Sequence, residues 1–441
     1  MKTCLFHRLI SLSAALPFFM WGTGHATDQP ILKGEPFQTV AEKNAPSVEE
    51  LTSEALSNSP LIHAARLRLA ASKELIEPAS SLPDPEVEFS LVENIRSISS
   101  LGYVKSELML KQGLPFPGKR SNKGKIADTE ADSEYAALID IERQVVKEIR
   151  TLYAGLYALD SEISALGIAK ELVKMLEATA AARYSAGEGN QEAQIKAQLE
   201  SSRIHERVDD IIAERKEMVA QLNRLLGRLK NDPIGKVVSL VAAGLPDGFQ
   251  DKAGHLALLN TPALYLKKAT VKAAEYRLES ARLDFWPDFF GGIGISLDRE
   301  NNPETILSLG MTLPVWRKNK QKPLERAAAH KVEEAKRNLE ELEISIRSEI
   351  VGLIAKWDRD QEQIRRYRDA IIPQSTAALN AARASYLSGR ADFSVVIEDY
   401  NLWLEARTQL ARRESERFIT WAGLDALIAP YPSNEKKGDT T

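Results

Sequence analysis

Two stretches of this chain, 54–91 and 256–297, carry the same landmarks in the same order, and that duplication limits what the rest can build. Asn58 and Pro60 are answered by Asn260 and Pro262, each 202 residues further on. Pro83-Asp84 recurs as Pro287-Asp288, and Leu114-Pro115 as Leu313-Pro314. Tyr184 and Gly187 of YSAG return as Tyr386 and Gly389 of YLSG, again 202 apart. The chain is a tandem repeat, and each half contains one unusual joint: KQGLPFPGKR at 111–120 and GMTLPVWRK at 310–318.

Hydrophobic periodicity changes in the same sequence within each half. A helical segment comes first, roughly 48–80 and 254–285, opened in the first half by Ser47 ahead of Val48-Glu49-Glu50 in a capping-box pattern. Two strand-like runs follow, at about 85–95 and 103–113 and again at about 288–297 and 305–313. Val87, Phe89 and Leu91 alternate with Glu86, Glu88 and Ser90; Val104, Leu108 and Leu110 alternate with Lys105, Glu107 and Lys111. The second half answers with Phe289, Ile293, Ile295 and Leu297, then with Leu307, Leu309, Met311 and Leu313 against Ser308, Gly310 and Thr312. A period of two marks strands with one wet and one apolar face, and the short polar segments 96–102 and 298–304 predict hairpins.

Beyond each Leu-Pro joint the period lengthens. Leu138, Ile141, Val145, Ile149, Leu152, Leu156, Leu159 and Ile163 recur at three- and four-residue steps. Leu339, Leu342, Ile346, Ile350, Leu353, Trp357 and Ile364 do the same in the second half. Helix-compatible sequence runs over 119–184 and 318–387, with a kink required at Pro373. Sixty-odd residues at 1.5 Å each would make a rod of roughly 100 Å, too long for a compact core. The rods break at YSAGEGN and YLSGRAD, and further amphipathic helices occupy about 191–227 and 393–428. The expected organisation is therefore a first repeat at 47–230 with a tip near 187, a linker at 231–250, a second repeat at 251–430 with a tip near 389, and a disordered tail at 431–441.

Residues 1–26 read as a secretory signal peptide, with Lys2 and Arg8 before an apolar Leu9–Met20 stretch and Gly24-His25-Ala26 at the cleavage point; 27–46 is an N-terminal extension. Cys4, the only cysteine, lies inside the signal and far from any lipobox position, so the mature fold rests on packing rather than disulfides. Loss of Lys2 and Arg8 takes the net charge from −4 to −6, which gives no electrostatic case for nucleic acid. No later run of about 18 apolar residues is present, which excludes a transmembrane helix. His63, His205, His255 and His330 are scattered without metal-ligand spacing, and no nucleophile, phosphate-loop or dinucleotide motif occurs. The chain is expected to be no enzyme and to carry no cofactor.

Strands of about ten residues can cross a bilayer when tilted. Four of them leave two unpaired edges, and each orphan amide in hydrocarbon costs several kcal/mol. Other copies must supply the missing partners. A lumen that passes solutes needs more than about eight strands, so three copies with about twelve strands are the natural closure. Both strand pairs return to helix, so the helices hang from one side. Proline at the joints, Pro115 and Pro314, lets a strand leave the sheet without stranding a ladder N–H. The expected fold is mainly α with a small β part, built into an outer-membrane β-barrel continued by a periplasmic α-helical barrel.

Taken together, Asn58/Pro60 with Asn260/Pro262, Pro83-Asp84 with Pro287-Asp288, the LPFPGKR and LPVWRK joints and the Tyr-x-x-Gly turns resemble the TolC-type outer-membrane efflux family over nearly all of 48–428. The LPFPGKR form is most similar to its heavy-metal efflux, CzcC-like branch. The resemblance implies a homotrimer in outer-membrane lipid, working with a periplasmic membrane-fusion adaptor and an inner-membrane pump of the resistance-nodulation-division (RND) type. It implies that the tips at Tyr184, Gly187, Tyr386 and Gly389 meet the adaptor; a plainer role for each Gly is to end a helix in a left-handed cap. It also implies an acidic aperture just past the second tip. Glu398 matches one acidic position while Val395 occupies another; Asp392 and Asp399 are weaker candidates, and a solvated helix face would account for all three equally. A three-fold ring of carboxylates would favour cations. Lys105, Glu107, Lys111, Glu86 and Glu88 should line the lumen, and Phe116, Phe285 and Trp286 could form an aromatic girdle or simply pack the joint. Type I secretion and drug efflux use the same architecture, and a non-pore periplasmic coiled coil is the rival from another class. A membrane-fusion adaptor would need a lipoyl-like β domain, for which no segment is apparent.

Overall fold

A computed structural model of the chain describes residues 45–94, 103–241, 248–297 and 302–432. The expected signal peptide, most of the N-terminal extension, the first hairpin loop and most of the tail lie outside the described residues, as does 298–301 of the second loop, which is shorter than expected because Pro303 and Glu304 already pair as strand. Helix α1 (Val48–Asn58) opens with the expected capping box, in which the Glu50 N–H donates to Ser47 Oγ and the Ser47 N–H to Glu50 Oε2, both at 3.2 Å.

The first helical segment is not continuous over 48–80. It divides into α1, α2 (Pro60–Glu74) and α3 (Ile76–Ser80). Ser59 is extended, with ψ 123°, because the ring of Pro60 denies the α region to the residue before it, while proline itself starts a helix well. Pro78 then clashes with the carbonyl four residues back, at Glu74, where α2 ends. The second half breaks in the same way: Thr261 has ψ 120° between α6 (Phe249–Asn260) and α7 (Pro262–Leu283).

Strands β1 (Glu86–Asn94), β2 (Tyr103–Leu114), β3 (Asp288–Leu297) and β4 (Pro303–Thr312) form one antiparallel sheet in that order. Each half contributes a hairpin, and β2 pairs with β3 across the halves, from Ser106 opposite Leu297 to Leu114 opposite Phe289. Helix α4 (Lys119–Ser185) follows β2 and α5 (Gln191–Leu225) returns from it. In the second half α8 (Gln321–Arg366), a π turn (Tyr367–Ile371), α9 (Ile372–Leu387) and α10 (Phe393–Ile428) complete the chain.

At 67 residues, α4 is about 100 Å long and serves as the spine. Apolar clusters are strung along it rather than gathered into one core. Leu138, Val145, Ile149, Leu152 and Leu156 pack with α1, α2, the end of α5 and Phe418 of α10. Nearer the tip, Leu159, Leu166, Val173 and Leu176 meet α5, α9 and α10. Ile346, Ile350 and Leu424 hold α6 and α7 to α8 and α10. Where a kink is expected at Pro373 the helix passes through a π turn, Tyr367–Ile371, which accommodates a proline that cannot donate to the carbonyl four residues back.

Part of the linker between the halves is pinned to the spine. Arg215 donates to the carbonyls of Ile234 (3.0 Å) and Gly235 (2.7 Å), and to Asp160 Oδ1 at 2.7 Å; Asp160 Oδ2 accepts the Val237 N–H at 2.8 Å. Ile234 and Val237 are buried beside this pair. At the end of α10, Arg143 reaches the carbonyls of Asn260, Ala426, Ala429 and Pro430, and the Asn260 amide donates to Ile428 O at 2.9 Å.

Candidate functional site

The sheet is the first functional surface. Alternation along β1–β4 places Val87, Phe89, Leu91, Leu108, Leu110, Ile293, Ile295, Leu307, Leu309 and Met311 on one face, where they pair across strands: Val87 with Leu110, Phe89 with Leu108, Leu108 with Ile295, Ile293 with Leu307. Among the described residues no helix covers that face. Val87 is 70% and Leu309 81% exposed, far outside what a water-soluble sheet tolerates over so many neighbours. The opposite face carries Glu86, Glu88, Lys105, Glu107, Lys111, Glu304 and Ser308. Lys111 pairs with Glu88, and Lys105 with Glu304 at 3.0 Å. Phe290 lies over Gly310, where a Cβ would sit 2.2 Å from the ring, so a larger residue there would push the ring aside. The strands hold nine to twelve residues, about 30–40 Å at 3.3 Å each, which spans a hydrocarbon core when tilted. The outer edges of β1 and β4 have no strand partner among the described residues. No described helix is long and apolar enough to cross a membrane.

The joints come next. Pro115 is the first residue beyond the last β2–β3 pair, as its missing N–H requires. Asp288, at the start of β3, accepts the Phe116 N–H at 2.8 Å and the Lys119 ammonium at 2.9 Å; Lys119 also reaches Asp284 at 3.3 Å. Gly118 turns the chain with φ 96°, and α4 begins at once. Phe116 stacks on Trp286 with ring centres 5.2 Å apart, so these two aromatics pack the joint while Trp286 keeps one side exposed. The second joint departs from the expected helix start at 318. Residues 315–320 are turns and α8 begins at Gln321. Past Pro314 the Val315 N–H closes back onto Leu313 O at 2.9 Å, and no carboxylate among the described residues does for Lys318 what Asp288 does for Lys119.

The tips lie at the other end of the spine. Gly187 (φ 74°) and Gly389 (φ 73°) each end a helix in a left-handed cap with paired bonds: the Gly187 N–H to Tyr184 O and the Glu188 N–H to Arg183 O, then the Gly389 N–H to Tyr386 O and the Arg390 N–H to Ser385 O. The two tyrosines differ. Tyr184 is 47% exposed, whereas Tyr386 is 4% exposed, edge-on to Phe393 at 5.7 Å and beneath the Arg183 guanidinium. Arg183 also donates to Tyr386 O at 2.8 Å, so the first tip holds the second. Sequence reasoning missed Arg183; nothing in its spacing marks it. Asp392 is the N-cap of α10, Glu398 is exposed on the face away from buried Val396 and Tyr400, and Asp399 is half-buried. Burial raises the Tyr400 phenol, with Glu200 adding to the shift. Among the described residues no three His, Cys, Asp or Glu side chains are placed to share a metal ion.

Residues 253–429 match the family model for outer membrane efflux proteins. That segment, the second half of the chain, is similar to an outer membrane efflux protein domain. A search of curated proteins returns no match. Among solved structures, the outer-membrane channel OprN superposes with a TM-score of 0.77 at 16% identity, covering 86% of this chain and 89% of its own. CusC, described in connection with transmembrane channel formation, gives 0.76 at 17% identity, covering 87% and 92%. The outer membrane protein VceC from Vibrio cholerae gives 0.74 at 18%, covering 87% and 97%. The fold is that of these outer-membrane channels.

Proposed function

We propose that three copies of this chain close a twelve-stranded barrel and a helical tunnel beneath it. Together they form the passive exit duct of a tripartite efflux system with a periplasmic adaptor and an inner-membrane RND-type pump. One observation carries the reading: the sheet exposes a broad, mainly apolar face and leaves both edges without a partner among the described residues, a combination stable in lipid only if neighbouring copies complete the hydrogen-bond ladder. The two repeats, 47–230 and 251–430, then act as alternating staves. Tyr184, Gly187 and Gly389 form the surface that meets the adaptor, with Tyr386 supporting the second tip from within. Glu398, flanked by Asp392 and Asp399, lines the periplasmic aperture. The LPFPGKR joint favours heavy-metal cations as cargo over the drugs or proteins that the same architecture serves.

Purified protein in planar bilayers should give stable, cation-preferring conductance. Glu398→Gln should weaken that preference without closing the pore, and an unchanged preference would remove Glu398 from the aperture. Absence of conductance would favour a non-pore coiled-coil platform. For cargo, the chain should restore divalent-metal tolerance to cells that have the pump and adaptor but no duct; restored drug tolerance or protein secretion alone would refute the metal assignment.

A further inference from the structure

The two joints are equivalent in sequence and unequal in structure. Counting from their shared Leu-Pro, Phe116 corresponds to Val315 and Lys119 to Lys318. Counting from the shared Pro-Asp, Asp288 corresponds to Asp84. Within the chain only one set is assembled. Asp288 holds the Phe116 N–H and the Lys119 ammonium, and Lys119 is only 12% exposed. Asp84 and Lys318 are both exposed, and neither has a hydrogen-bond or ion-pair partner among the described residues. The reason is topological. Asp288 meets the first joint because β3 pairs with β2; Asp84 precedes β1, whose free edge faces away from the second joint, and that joint follows β4 at the opposite edge.

We infer that Asp84 of one copy latches the second joint of its neighbour, drawing the Val315 N–H away from Leu313 O and pairing with Lys318, so that the contact inside the chain is repeated between chains. The inference rests on the proposed closure of the barrel by further copies and specifies how they meet. Repeating the β2–β3 register, in which Leu114 faces Phe289, sets Leu313 opposite the neighbour's Pro85. Counting along the antiparallel pair then puts Met311 opposite Val87, Leu309 opposite Phe89 and Leu307 opposite Leu91. All six belong to the exposed apolar face, as a continuous lipid-facing band requires. A slip of one residue would turn a whole strand's apolar set into the lumen. The charges agree as well, since an unpaired carboxylate and an unpaired ammonium occupy matching positions at the two free edges. With this cap supplied, the 315–320 turns can tighten as α4 does beyond Lys119, so α8 can extend toward Lys318.

Charge exchange in the full-length protein tests the contact. Asp84→Lys and Lys318→Asp should each lower, several-fold, the share of trimer that survives warming in SDS, and the double exchange should restore it. Independently, the Asp84→Cys/Lys318→Cys pair, in a mature chain expected to hold no other cysteine, should give covalent dimers and trimers in outer membranes with a short bis-maleimide linker; either single variant should give none. Trimers that persist while the double exchange fails to rescue and the cysteine pair stays unlinked would overturn the latch and leave the channel reading standing. A wild-type protein that forms no trimer would overturn both.

Discussion

Asp160→Asn should release the linker from the spine. The Asp160 side chain is 1% exposed and that of Arg215 10%, so the pair is held away from water, and Asp160 alone neutralises the guanidinium while taking the Val237 N–H. Asparagine keeps the shape but removes the charge and can no longer accept on both sides. Breaking one partner of a buried pair costs about 3–5 kcal/mol. The cost falls on the local opening of 231–237, since that segment is what the pair secures, and at about 1.4 kcal/mol per tenfold the opened population rises by roughly 10²–10³. Limited proteolysis after Lys230 and Lys236, followed by mass spectrometry, reads that population directly. Cleavage there should accelerate by about that factor, while cleavage at the distant tips should be unaffected. A double change to Asp160→Leu and Arg215→Met, which removes both charges at once, should recover most of the protection. Unchanged linker cleavage in Asp160→Asn would refute the claim that this pair pins the linker to the spine.

Leu307→Arg, mid-strand on the apolar face, should cost about 2–4 kcal/mol and sharply reduce assembled protein in the outer membrane. Ser308→Arg, one residue away on the polar face, should be tolerated; equal loss for both would contradict the assigned faces. Arg183→Ala removes a charged hydrogen bond and a ring contact, together about 2–4 kcal/mol, and should speed amide exchange at 386–392 while leaving 184–190 unchanged. Burial raises the phenols of Tyr157 and Tyr400, helped by the Glu414 hydrogen bond in one case and the Glu200 charge in the other. Their folded pKa values therefore lie above the unfolded value of about 10, so their contribution is complete below that pH and is lost as pH rises past it. Thermal unfolding should be flat from about pH 7 to 9 and fall beyond about 10, less steeply in Tyr400→Phe.

The features legible in the sequence are those with a period. Alternation at 307–313 marks both the strand and its exposed apolar face, and the leucine–isoleucine seam from Leu138 to Leu159 marks the spine, because each pattern repeats over enough residues to outweigh accident. Local steric rules are legible too: Pro60 and Pro262 are landmarks of the repeat, and the breaks they force at Ser59 and Thr261 interrupt the helices expected over 48–80 and 254–285. Contacts between distant side chains leave no such trace. Asp160 and Arg215 meet across 55 residues and Arg183 reaches Tyr386 across 203, and neither pair has a spacing that distinguishes it from ordinary surface charge. The repeat itself also misleads at the tips. It presents Tyr184 and Tyr386 as equals, although Phe393 follows only the second turn and buries only the second tyrosine.

The claim that separate copies complete one another's sheet is most directly tested by counting copies in the membrane-extracted particle with native mass spectrometry from detergent micelles. The mass should be three mature chains, with no monomer until the micelle is stripped. A stable, folded monomer that stays soluble without detergent would contradict the account at its root.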